Sequence, residues 1–196
     1  AGNVVSPQEV MKEFGADSLR MYEMFMGPIE MSKPWSSTGL NGIYKFLNRI
    51  WRLFVSENGT LDSKIQNAAP SESELKIFNR AIKKVTEDVE QLKFHTAISA
   101  LMVFSNEISN LDIRSQKMME TFVLLLAPFA PHLAEELWNQ LGHSNTLTYE
   151  SWPCFDERYV NESEVEIAVQ ISGKIKARFM IAKGASEEVV KEKALN

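Results

Sequence analysis

Lys45, Arg49 and Arg52 are the residues of this sequence best placed to do chemistry together. With Asn48 they fall at i, i+3, i+4 and i+7, a spacing that gathers side chains on one helix face, opposite the apolar Ile43, Phe46, Leu47, Ile50 and Phe54. Lys33 precedes them, and no Asp or Glu interrupts the stretch from Met31 to Val55, although the whole chain carries a formal net charge of -5. Cations in such a row attract phosphates, so the pattern points to a polyanion backbone; an ordinary solvated face is the plain alternative. An acidic total excludes a uniformly basic coat and confines any nucleic-acid contact to local patches. A second row, Lys174, Lys176 and Arg178, alternates with Ile175, Ala177 and Phe179. It is expected to project from one face of a strand, toward phosphate or as the guard of a sheet edge. Trp35 and Trp51 are candidates to stack on a base or ribose, although aromatics in amphipathic stretches are more often core.

Other chemistry finds little support. His95, His132 and His143 are scattered without metal-ligand spacing, and Cys154 is the only cysteine, so no metal site and no internal disulfide are expected. Ser36, Ser37 and Ser105 have no identifiable base, and no Gly-rich phosphate cradle or paired-carboxylate pattern occurs. No catalytic residue is therefore assigned. A lone thiol fits a reducing cytoplasm, and no apolar run reaches the roughly 20 residues that span a bilayer. The chain opens on Ala1-Gly2-Asn3 without Met and is expected to be cut from a longer one.

The elements that must position these residues are mostly helices. Ser6-Pro7-Gln8-Glu9 reads as a capping box opening a short helix that Gly15 stops, and Asp17 is expected to cap a second, Ser18 to Met26, which is apolar nearly all round. That helix is expected to be buried, or to expose a patch that once faced a missing domain; its methionines, Met21 to Met31, read as adaptable packing. Helices are then predicted from about Gly39 to Glu57, closed by Asn58-Gly59; from Leu75 to Leu92; from His95 to Asn110; from Ser115 to Ala127; and from Pro131 to Gly142. Past Trp152-Pro153 the period changes to two. Val165 to Ile171 and Ile175 to Ile181 read as a β-hairpin turning at Ser172-Gly173, and Ser186 opens a last helix. The expected fold is mainly α, a helical bundle with a small α+β (ββα) extension too small to hold a core alone and so expected to be truncated.

Several segments carry a family likeness. Gly2-Asn3-Val4-Val5-Ser6-Pro7 with Gly15-Ala16-Asp17-Ser18-Leu19-Arg20 resembles the segment after the KMSKS signature of class I aminoacyl-tRNA synthetases for large aliphatic amino acids. Gly27-Pro28, Lys33-Pro34-Trp35, Gly39, Gly42 and Phe46-Leu47-Asn48-Arg49-Ile50-Trp51-Arg52 resemble the leucyl enzymes in particular. Phe94-His95-Thr96-Ala97-Ile98, Ala127-Pro128-Phe129-Ala130-Pro131-His132, Glu135-Glu136-Leu137-Trp138, Trp152-Pro153 and Val169-Gln170-Ile171-Ser172-Gly173-Lys174 agree. The resemblance implies a stem-contact remnant over 1–35, an anticodon-binding-type bundle over 36–157 and the start of a C-terminal tRNA-binding domain over 158–196. It implies leucine tRNA and an upstream catalytic domain as partners, with Lys33, Trp35, Lys45, Arg49, Arg52, Lys174, Lys176 and Arg178 as tRNA-binding residues. ATP and magnesium would serve the parent enzyme only, with Gly2 and Asn3 beside its ATP loop. An isoleucyl- or valyl-type synthetase and a helical protein-interaction module are the alternatives.

Overall fold

The computed structural model describes residues 4–160, 164–171, 174–182 and 185–195. The chain divides into two compact units, Ala1–Asp156 and Glu157–Asn196. The first holds α1 (Pro7–Phe14), α2 (Ala16–Phe25), α3 (Ser37–Phe54), β1 (Ile65–Gln66), α4 (Glu72–Glu90), α5 (Phe94–Ser109), β2 (Arg114–Ser115), α6 (Gln116–Leu126) and α7 (Pro131–Gln140). The second holds α8 (Glu157–Val160), β3 (Glu164–Ile171), β4 (Lys174–Ala182) and α9 (Glu187–Leu195). No helix among the described residues is long and apolar enough to cross a membrane.

The bundle is organised around α6. Its Met118, Met119, Phe122, Val123, Leu125 and Leu126 are fully buried, and each such side chain contributes about 1.5–3 kcal/mol of gross burial energy. The Phe122 ring meets Phe54 of α3 at 6.1 Å and Phe104 of α5 at 5.2 Å, so three helices share one aromatic centre. α4 lies along α5, joined through a tight turn in which Leu92 takes a positive φ of 57°. Ser71 and Glu74 form a capping box at the start of α4. The same Glu74 carboxylate accepts the Ser115 N–H at 2.6 Å and so ties β2 to the helix cap. Burial pushes the Glu74 pKa up, but hydrogen bonds from Ser115 and Ser71 outweigh it and leave the group below its ordinary value.

The start and end of several helices differ from the sequence expectations, each for a local reason. Ser6 stands at the N-cap of α1 with Pro7 behind it, but its hydroxyl donates to Gln8 and no capping box forms. α2 starts at Ala16 after Gly15 (φ 85°), and Asp17, expected to cap it, reaches instead to another helix. α3 stops at Phe54, short of Asn58-Gly59. Its last carbonyls are taken from elsewhere: Leu53 O accepts from the buried Arg114 guanidinium at 2.7 Å, and Phe54 O from Asp62 N at 2.7 Å. Asn58 and Gly59 form the turn that follows, closed by a Val55–Leu61 bridge. α2 is not a loose apolar surface. Met21, Tyr22, Ser18 and Leu19 are buried in the bundle, and only Met24 and Met26, with exposed Ile29 and Met31, line an open cleft beside Phe94.

In the second unit β3 pairs antiparallel with β4, and α9 packs on β4, with Lys191 and Glu187 paired at 2.6 Å. The register runs Ile171 to Lys174 and Gln170 to Ile175, then jumps to Val169 with Ala177. Lys176 is thus the extra residue of a bulge. The register shift falls within the segment that carries Lys174, Lys176 and Arg178, whose side chains lie outside the described residues.

Candidate nucleic-acid interface

α3 carries the cations, and the way it is anchored fixes which of its faces meets solvent. Leu40, Ile43, Phe46, Leu47, Ile50, Leu53 and Phe54 form the buried stripe. At its N-terminus Ser36 Oγ accepts Gly39 N at 3.2 Å, a cap, and Ser36 N donates to the Tyr22 hydroxyl on α2 at 2.7 Å. The Tyr22 ring in turn meets Trp35 edge-on at 5.0 Å. Gly39 lies so close to this ring that a Cβ there would fall 2.9 Å from Tyr22 Cε2. Tyr22, Trp35, Ser36 and Gly39 therefore form one locked joint between α2 and α3.

On the outer face Asn41, Lys45, Asn48 and Arg52 follow at i, i+4, i+7 and i+11, within a band of about 60° around the helix axis. Lys45 and Arg52 are exposed, and no acidic residue lies on α3. The side chains are braced against the helix itself: Asn48 Nδ2 donates to Tyr44 O at 2.8 Å and Arg52 Nε to Asn48 O at 3.2 Å. The terminal nitrogens of Arg52 have no partner among the described residues. Arg49 sits to one side of this crest. It leans toward α5, where Nη2 reaches Ser105 Oγ at 3.3 Å, and its guanidinium lies 5.5 Å from the centre of the Phe46 ring. Of the cations in the i, i+3, i+4, i+7 reading, two stand on the crest and the third flanks it.

The remaining candidates are dispersed. Lys33 is exposed, with its stem folded over Gly27 so that a Cβ at Gly27 would meet Lys33 Cε at 2.7 Å. Trp35 is half-buried on Tyr22, its indole N–H 3.3 Å from Ser37 Oγ, and Trp51 is half-buried against the core. Lys174, Lys176 and Arg178 belong to β4 of the other unit, and their side chains lie outside the described residues, as do Gly2 and Asn3 altogether. Two crest neighbours went unnoticed in the sequence: Asn41, exposed one turn before the first cation, and Tyr44, 38% exposed. Extending the helical count one turn toward the N-terminus from Lys45 finds both. Among the described residues no group of three or more His, Cys, Asp or Glu could hold a metal ion.

Residues 74–191 match the family model described as the anticodon-binding domain of tRNA ligase. The chain belongs to that family. A solved structure that resembles this anticodon-binding-domain chain is the ternary complex of Agrobacterium radiobacter K84 agnB2 LeuRS with tRNA and LeuAMS, at 31% sequence identity and a TM-score of 0.72. The match covers 99% of this chain and 27% of that one, so the chain spans about a quarter of that protein's length. The structural match takes in α3, which precedes the residues matched by the family model.

Proposed function

We propose that this chain is the tRNA-binding portion of a leucyl-tRNA synthetase, and that the outer face of α3 grips the sugar–phosphate backbone of leucine tRNA. The observation that carries this reading is the crest of Lys45 and Arg52, both exposed and free of any acid on the same helix, with Arg52 braced on the helix backbone. The family of the chain and its likeness to a LeuRS solved with tRNA support it. In this reading Lys45 and Arg52 make the principal phosphate contacts, Arg49 flanks them, and Lys33 and Trp35 are separate contacts away from the crest. Lys174, Lys176 and Arg178 form a separate contact, and residues 1–35, 36–157 and 158–196 are the stem-contact, bundle and C-terminal tRNA-binding elements. The parent enzyme, cytoplasmic, would activate leucine with ATP and magnesium and transfer it to the tRNA, using a catalytic domain upstream of this chain. No catalytic step falls to a residue of this chain.

A salt titration of tRNA binding tests it. Each phosphate contact removed lowers the slope of log affinity against log salt by about one. Loss of slope in Lys45→Ala and Arg52→Ala supports backbone docking, whereas slopes equal to wild type leave the crest a solvated face. Aminoacylation by the parent enzyme separates leucine from isoleucine or valine. A second reading, a protein-interaction module, draws on the groove between α4 and α5, of about 470 Å³, where Val103 is 58% exposed beside Ile77, Ala81 and Ala100. Partner binding that persists without tRNA would favour it.

A further inference from the structure

The crest of α3 alternates amide and cation: Asn41, Lys45, Asn48, Arg52. Cations alone are enough to hold phosphates, so the amides need a different explanation. Asn48 uses one amide hydrogen on the Tyr44 carbonyl, which fixes the group and leaves its oxygen without a partner among the described residues. Asn41 is exposed and has no partner there either. Beside them stands Tyr44, whose ring meets Phe14 of α1 edge-on at 5.5 Å and is thereby held at the rim of the crest. Its hydroxyl makes no hydrogen bond among the described residues. The face thus presents two positive groups interleaved with neutral donors and acceptors, of which Asn48 and Tyr44 are held in place.

The same face lacks stacking platforms. Single-stranded nucleic acid is gripped by exposed aromatic rings on which bases stack. Here Trp35 and Trp51 are committed to packing, and Tyr44 offers only a ring wedged against Phe14. A smooth helix surface of about 16 Å suits instead the wide, shallow minor groove of an A-form stem, which displays ribose 2′-hydroxyls between its phosphates. Those hydroxyls both donate and accept, as amides and a phenol do.

We propose that this face recognises a double-stranded RNA stem as RNA, with Asn41, Asn48 and the Tyr44 hydroxyl on ribose 2′-hydroxyls and Lys45 and Arg52 on the phosphates between them. The proposal rests on the tRNA-binding reading and adds to it the group that is read. The test compares binding of a leucine tRNA transcript with the same transcript made with 2′-fluoro pyrimidines, which keeps the A-form and the phosphates but removes those hydroxyl donors. Wild type favours the natural transcript by roughly three- to tenfold, the worth of one or two hydrogen bonds. Asn41→Ala and Tyr44→Phe bring that ratio toward one with the salt slope unchanged. Lys45→Ala and Arg52→Ala lower the slope for both transcripts and leave the ratio intact. A wild-type ratio of one, or a preference that survives in both Asn41→Ala and Tyr44→Phe, overturns the proposal. Slopes unmoved by the two cation changes overturn instead the phosphate reading beneath it.

Discussion

The Asp17 carboxylate accepts the backbone N–H of Leu133, 116 positions further along the chain, at 2.7 Å, so a residue on α2 caps the start of α7. It also accepts His132 N at 3.4 Å and pairs with His132 Nδ1 at 2.8 Å, while three residues on, Arg20 donates through two nitrogens to Pro128 O at 3.1 and 3.0 Å. α7 has no cap of its own, because Ala130 occupies its N-cap position. The negative charge of α2 supplies one, at the end of the helix dipole that favours it.

Removing that cap destabilises the bundle. Asp17→Ala costs about 1–2 kcal/mol and lowers the melting temperature by about 2–6 °C. His132→Ala, whose side chain is 78% exposed, changes stability by less than about 0.5 kcal/mol. Thermal denaturation of both variants checks this, and an Asp17→Ala curve that overlays the wild type contradicts it.

Two glycines of α3 respond to alanine with opposite sign. At Gly39 the new Cβ meets the Tyr22 ring at 2.9 Å, and that ring is held by Ser36 and Trp35, so the change costs about 1–3 kcal/mol. At Gly42 nothing lies within 4 Å, and alanine gains about 0.5–1 kcal/mol from lower chain entropy in the unfolded state. Urea melts of Gly39→Ala and Gly42→Ala give the two signs directly.

Acid weakens the α4 junction through Glu74. Its folded pKa is depressed below the ordinary carboxylate value, so its contribution is complete above that ordinary value and is lost as pH falls through the folded pKa. In Glu74→Gln the drop in stability between neutral pH and pH 3 is smaller than in wild type, while stability at pH 7 is lower because charge-assisted bonds to Ser71 and Ser115 are gone. An unchanged pH dependence in Glu74→Gln argues against this role.

The helices from α3 to α7 are legible in the sequence because each buries one apolar stripe at helical period, as with Leu75, Phe78, Ile82, Val85 and Val89 on α4. The contacts that join them are not. The reach of Asp17 and Arg20 to α7 and its loop leaves no local pattern, and Asp17 in sequence looks like a cap for its own helix. β1 and β2, at two residues each, are too short for alternation to register. The early stop of α3 depends on Arg114, which lies 61 positions from the Leu53 carbonyl it binds. The cationic face was readable from spacing, yet spacing alone set Arg49 level with Lys45 and Arg52. Only the position of α5 shows that Ser105 draws it aside. Asn41 and Tyr44 are uncharged, so a pattern of charges does not mark them.

The most direct measurement is the affinity of the chain for a leucine tRNA transcript as a function of salt, for wild type, Lys45→Ala, Arg52→Ala and the double variant. The expected result is a slope lowered by about one in each single variant and by about two in the double. Slopes that stay at the wild-type value in all three variants would contradict the docking of α3 on the tRNA backbone.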